Sequence, residues 1–252
     1  MNKTLLVLIF SNFLNAELIL EITQGTEDPY RVALVQFEGN KNISKNINKI
    51  IRNNLTRSGE FKIFGNDDLI SNPSDETEVI FNDFKILDID YLILGKIIEE
   101  GAGISVIYEI YDIKKSKKIR TSTVFGIPNK NRQLSHYISD GIYEEITGIK
   151  GISSTKILYV TEKDNFNLVI ADADGSNEQI LLKSNDPIIS PSWSPDSKKV
   201  AYVSFETGMA KVYIQNIATG KRELAIENSS QISSPSWSPD GKFLSLTMYQ
   251  DG

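Results

Sequence analysis

The sequence predicts an α+β protein in which a mixed α/β domain over residues 30–150 is followed, from residue 151 to 252, by β-propeller blades too few to close a ring. Three observations lead there. The stretch Ser190-Pro191-Ser192-Trp193-Ser194-Pro195-Asp196 returns as Ser234-Pro235-Ser236-Trp237-Ser238-Pro239-Asp240, with its first prolines 44 residues apart. Each copy leads into a segment that alternates at strand spacing, Lys199-Val200-Ala201-Tyr202-Val203-Ser204 and then Phe243-Leu244-Ser245-Leu246-Thr247-Met248. Ahead of residue 151, apolar residues recur instead at both helix and strand periods, the mark of a different domain.

A weaker copy lies upstream, where Lys156-Ile157-Leu158-Tyr159-Val160-Thr161 starts 43 residues before Lys199. There Asp172-Ala173-Asp174-Gly175 takes the turn position later filled by Ile217-Ala218-Thr219-Gly220. Four short strands in a period of ~40–45 residues describe a propeller blade, and no amphipathic helical pattern competes for these residues.

The chain opens with Met1-Asn2-Lys3, an apolar run from Leu5 to Phe10, Phe13-Leu14 and a small residue at Ala16, the order of a secretory signal peptide over residues 1–16. Too short to span a bilayer, it predicts a mature chain that begins at Glu17, and no later segment approaches ~18 consecutive apolar residues. Residues 17–28 start as an alternating strand and end polar around Gly25, either an edge strand or a partner-seeking extension.

Residues 32–37 read as a buried strand, and Ile43, Ile47, Ile50, Ile51 and Leu55 as a helix with cap chemistry around Ser44, ended by Gly59. A short strand (61–64), a second helix (75–87), a core strand (91–95) and a hairpin (104–112 with 119–125) follow. Leu134, Ile138, Ile142 and Ile146 recur every four residues, so residues 132–147 form an amphipathic helix, and Gly148 and Gly151 mark the exit to the blades.

With a net charge of −6 the chain lacks the basic face that phosphate-backbone binding requires, so nucleic acid is not expected as a partner. With no cysteine it has no disulfide, thiolate metal site or Cys nucleophile. The single His136 has Ser139 and Asp140 on its own helix, but no G-x-S-x-G elbow exists, and a structural role is the reading. Asp172-Ala173-Asp174-Gly175 lacks the later ligands of a calcium loop and reads as a hairpin turn. Gly101-Ala102-Gly103 fails the dinucleotide pattern. Trp193 and Trp237 read as rings packed between blades, Asp196 and Asp240 as turn residues, and Lys114 to Lys118 as a solvated tip. No catalytic residue, cofactor or metal is expected.

Taken together, the signal-like start with its Glu17-Leu18-Ile19-Leu20-Glu21-Ile22 run, the segment Leu87 to Lys96 (L-D-I-D-Y-L-I-L-G-K), the stretch from His136 through Gly151 and the S-P-S-W-S-P-D units resemble the TolB family of the periplasmic Tol-Pal system. The resemblance implies a six-bladed propeller behind an α/β domain, no enzymatic activity, and a scaffold linking inner-membrane Tol proteins to the peptidoglycan-associated lipoprotein Pal. In that role it supports outer-membrane integrity and invagination during division. It further implies that Glu17, Leu18, Ile19, Leu20, Glu21 and Ile22, within residues 17–28, engage TolA, and that the loop from Gln231 to Ser234 meets Pal. Here Gln231 stands where the family has an imidazole and Ser234 where it has a small apolar residue. Residues 151–252 hold about two blades' worth of strands, against at least ~4 for closure. The expectation is a truncated product whose propeller part is marginal and prone to edge association. The alternatives are the propeller of a hydrolase whose catalytic domain is absent from this chain, and a propeller that binds a small molecule in its channel.

Overall fold

The computed structural model describes residues 28–226 and 231–249, for residue 231 the backbone alone. The signal segment, Glu17 to Ile22 and the last three residues lie outside the described residues.

A five-stranded sheet builds the first domain, in the order β2-β1-β3-β4-β5. Its strands are β1 (Tyr30–Leu34), β2 (Phe61–Phe64), β3 (Tyr91–Glu100), β4 (Gly103–Asp112) and β5 (Lys117–Gly126). β1 runs parallel to both β2 and β3, while β3, β4 and β5 form an antiparallel meander. Helices α1 (Lys41–Arg57) and α3 (Asn131–Thr147) cover one face. Ile47, Ile51 and Leu55 of α1 and Ile138, Ile142 and Ile146 of α3 pack there on Val32, Ile93, Val106 and Ile110. That stripe burial is the main stabilisation available to two helices of otherwise polar sequence.

The helix starts from Asn40, whose side chain accepts the amides of Asn42 and Ile43. Ser44 is not the cap: it is buried and donates its hydroxyl to the Phe37 carbonyl. Gly148, with φ 72°, ends α3 by donating to the Glu144 carbonyl at 2.9 Å.

The expected helix over residues 75–87 forms only in pieces, a single 3-10 turn (Glu76–Glu78) and the short α2 (Phe81–Ile86). Between them Val79 and Ile80 are extended, and Asp75 caps Thr77 with its carboxylate. Two adjacent β-branched residues disfavour the helix, and Phe84 is the one residue of α2 that is buried.

Blades follow. β6 (Lys156–Glu162), β7 (Phe166–Asp172) and β8 (Gln179–Ser184) make a three-stranded sheet. β9 (Ile188–Trp193), β10 (Lys199–Ser204), β11 (Lys211–Asn216) and β12 (Arg222–Leu224) make a complete four-stranded blade, and β13 (Gln231–Trp237) pairs with β14 (Leu244–Tyr249). β9 packs on β6 and β7, and β13 packs on β9, β10 and β11, so successive sheets stack face to face without closing a ring among the described residues.

The repeat is a repeat of hydrogen bonds as well as of letters. Ser194 Oγ donates to Asp196 at 2.7 Å and accepts the Lys199 amide at 2.9 Å, while Asp196 accepts the Lys198 amide at 3.0 Å. Ser238 likewise donates to Asp240 at 2.6 Å and accepts the Phe243 amide at 3.0 Å, while Asp240 accepts the Lys242 amide at 3.1 Å. Each Ser-Pro-Asp segment is therefore a self-contained turn that sets the hairpin between its two strands. Both tryptophans are half-buried, but Trp193 packs against the cluster of Leu168, Ile188, Val200, Tyr202 and Tyr213, whereas Trp237 joins no such cluster among the described residues.

Candidate functional site

Of the residues expected to meet partners, Ser234 is described with its side chain, and it is exposed with φ at 53°. It sits in the β-bulge between Ser233 and Ser236, directly before the buried Pro235. Ser190 does the same before Pro191 in β9, with φ at 51° and a register shift opposite Ala201 and Val203. Proline has no N–H to give a ladder, and a bulge with one left-handed residue accommodates it inside a strand. The conformation of Ser234 is thus a property of the repeat, with the hydroxyl left at the surface. Two residues earlier, Ile232 is fully buried with Val203, Ala210 and Val212, and its amide reaches the Ala210 carbonyl at 3.4 Å. The start of β13 is anchored on the preceding blade, and the segment around Ser234 is displayed from it.

The junction between the two parts of the chain was not anticipated. Arg132, His136 and Asp140 recur at i, i+4 and i+8 on α3, a polar stripe beside the apolar one, and the stripe faces the first blade. Asp140 accepts the amides of Ser153 and Ser154 at 2.6 and 2.9 Å. Gly151 crosses the helix so closely that an added Cβ would lie 2.5 Å from the Asp140 Cα. Arg132 donates from Nε to Asp172 at 3.1 Å and from Nη2 to Asp174. Lys156 also donates to Asp172, Asn177 does so at 2.6 Å, and Arg57 of α1 lies 4.0 Å from Asp174.

Burial works to raise the pKa of both carboxyls, but donors win in each case. Lys156, Arg132 and Asn177 hold Asp172 below the ordinary carboxylate range, and the Ser176 amide and Arg132 do so for Asp174. The spacing that looks like a plain hairpin turn therefore carries the contact between domains. The signal was present as the i, i+4, i+8 polar stripe, but the partners of Arg132 lie 40 and 42 residues away in sequence.

His136 is buried at the centre of this junction. Asn54 donates to its Nδ1 at 2.9 Å and to Ser139 Oγ at 3.0 Å, and Ser139 in turn donates to the Ser135 carbonyl at 2.7 Å. Burial lowers the imidazole's pKa, so the ring is held neutral, and with Nδ1 accepting, the proton sits on Nε2. The hydroxyl of Ser139 is engaged by Asn54 and Ser135 rather than by the ring, so the three residues make no nucleophile. His136, Asp172 and Asp174 bring their side chains within 4.8 Å of one another, as a metal site would, but Arg132, Lys156 and Arg57 already neutralise the two carboxylates. No helix among the described residues is long and apolar enough to cross a membrane.

The family models agree with this architecture. Residues 18–119 match the TolB amino-terminal domain, and residues 143–252 match the TolB beta propeller domain. The Tol-Pal system protein TolB of Alcanivorax borkumensis is 43% identical over 94% of this chain and 56% of its own length. That of Pseudomonas aeruginosa is 38% identical over 81% of this chain and 49% of its own. The crystal structure of TolB from Acinetobacter baumannii superposes with a TM-score of 0.79 at 32% identity, covering 92% of this chain and 58% of that one. The chain spans about half the length of the curated relatives it matches. With both domain types matched and a superposition that covers 92% of this chain onto a solved member, the chain belongs to the TolB family.

Proposed function

We propose that the chain serves the Tol-Pal system as a non-enzymatic periplasmic scaffold, joining TolA at residues 17–28 to the lipoprotein Pal at the propeller. The observation that carries this is the 43% identity to a Tol-Pal system protein TolB across 94% of the chain. In this reading Glu17, Leu18, Ile19, Leu20, Glu21 and Ile22 form the TolA segment, and Gln231 and Ser234 contribute to the Pal surface. The domain limits that go with it are a signal peptide at 1–16, an extension at 17–29, the α/β domain at 30–150 and blades from 151. Support for the Pal contact is physical: a surface serine on a strand whose neighbour Ile232 is anchored in the core presents a side chain without carrying stability.

The test is co-purification of a tagged, exported chain with Pal and with TolA. Retention of Pal, reduced by Gln231→Ala or Ser234→Asp while TolA is retained, supports the reading. Asp is chosen because it tolerates the left-handed conformation of residue 234. Equal Pal retention by both variants removes the Gln231 to Ser234 assignment, and failure to retain either partner removes the scaffold reading.

A further inference from the structure

The five-stranded sheet has two edges, and they are guarded differently. β2 is four residues long, follows Glu60 and carries the exposed Lys62. β5 is ten residues long, and its first half holds Lys117, Lys118 and Arg120 beside a bulge opposite Ile110 and Tyr111. Short length, charge and bulges are the usual means of keeping an edge from pairing with another chain. From Thr121 to Gly126 β5 has none of them: no charge, no proline and no register shift.

The ladder tells which backbone groups of that stretch stay free. β3 bonds Val35 and Glu38 through Ile93, Gly95 and Ile97, so its alternate residues Leu94, Lys96 and Ile98 bond Glu109, Ile107 and Ser105 of β4. Tyr108, Val106 and Ile104 of β4 then bond Ser122, Val124 and Gly126 of β5. Thr121, Thr123 and Phe125 are left with their N–H and C=O groups turned outward, and no other backbone among the described residues meets them. Val124 packs toward α1 and α3, so the side chains of these three residues stand on the opposite sheet face. All three are exposed, Phe125 by 75%.

We propose that β5 pairs with β5 of a second copy of this chain, antiparallel about a two-fold axis at Thr123, joining the two five-stranded sheets into one. That register alone sets every outward residue of the open stretch against another: Thr121 on the partner's Phe125, Thr123 on the partner's Thr123, and Phe125 on the partner's Thr121. A β-branched residue against an aromatic, and Thr against Thr, are favourable cross-strand pairs. Arg120 falls opposite the partner's Gly126, so no like charges face each other along the pairing.

The chain has no cysteine, so a single introduced thiol reports the register. Thr123→Cys brings two Cα atoms to about 5.5 Å across the axis, within disulfide reach, whereas the two copies of Thr121→Cys stand about 14 Å apart. The full chain with either substitution is oxidised with diamide, and the unsubstituted chain and Thr123→Lys are compared by sedimentation velocity over a concentration series. Thr123 is exposed, so none of these changes removes a core contact. The expected result is a disulfide-linked dimer that forms about tenfold faster from Thr123→Cys than from Thr121→Cys, with dimerisation about tenfold weaker in Thr123→Lys, which sets two ammonium groups at the axis. Equal crosslinking at the two positions overturns the proposal. So does a chain that stays monomeric, which leaves the edge to residues 17–28 or to a strand of another protein, and so does association that Thr123→Lys leaves unchanged, the mark of pairing through the propeller strands.

Discussion

Strands β10 and β14 occupy the same place in successive copies of one repeat, yet five of the six residues of β10 are buried and none of β14 is. Both follow the same Ser-Pro-Asp turn with the same side-chain contacts. The difference is in neighbours. β10 lies between β9 and β11 and has β13 packed on its sheet, whereas β14 pairs with β13 alone among the described residues and only its Leu244 and Leu246 reach the cluster of Val203, Ala210, Val212 and Ile232. The upstream copy adds a third setting: its turn at Asp172 to Gly175 is gripped by Arg132 and Arg57, while Thr219 in the matching turn is exposed and bonded to its near neighbours Asn216 and Lys221. Local sequence writes the hairpin, and the surroundings decide what it is worth.

The largest expected effect comes from the pair Tyr202 and Leu246, which align in the repeat. Tyr202 is fully buried, stacks on Tyr213 and donates to Gln215 at 3.1 Å, so Tyr202→Ala should cost about 3–5 kcal/mol. Leu246 is half-buried, and Leu246→Ala should cost about 1 kcal/mol or less by denaturant unfolding. Equal losses at the two sites would break the comparison.

A smaller contrast separates the first blade's turn from the second's. Asp174→Ala strips Arg132 and Arg57 of a shared, largely buried partner and should cost about 2 kcal/mol, less than a fully buried pair because Arg57 is partly solvated. Thr219→Ala, at the equivalent exposed position, should stay within about 0.5 kcal/mol. A neutral Asp174→Ala would show that the domains are held by something other than this network.

The smallest effect is a dependence on pH. His136 is depressed by burial in the folded chain, with Asp172 and Asp174 opposing that shift and Arg132 and Arg57 reinforcing it. A depressed group contributes stability that is fully present above its unfolded value of 6.5 and is lost as pH falls from there through its folded value. Stability should therefore decline on acidification below about pH 6.5, by at most about 1.4 kcal/mol per pH unit, before the carboxylates of Asp172 and Asp174 lose theirs below the ordinary carboxylate range. His136→Gln should flatten the first of these slopes. An unchanged slope in that variant would place the titration elsewhere.

What the sequence determined by itself is local: the repeat and its turn chemistry, the strand at Phe61–Phe64, and the two long helices with their apolar stripes. These follow from patterns spanning at most a few turns or one hairpin, where propensity and periodicity act directly. Three things were decided only in three dimensions. Val79 and Ile80 stayed extended, because α2 had Phe84 as its one buried residue and little packing to hold a longer helix. Ser190 and Ser234 turned left-handed, because a proline had to sit within a paired strand. The stripe of Arg132, His136 and Asp140 became the clasp between domains, because Asp172, Asp174 and the amides of Ser153 and Ser154 arrive beside it only once the first blade has folded back against α3. Charge pairing and burial depend on which surfaces meet, and that is set by the packing of whole elements rather than by any window of residues.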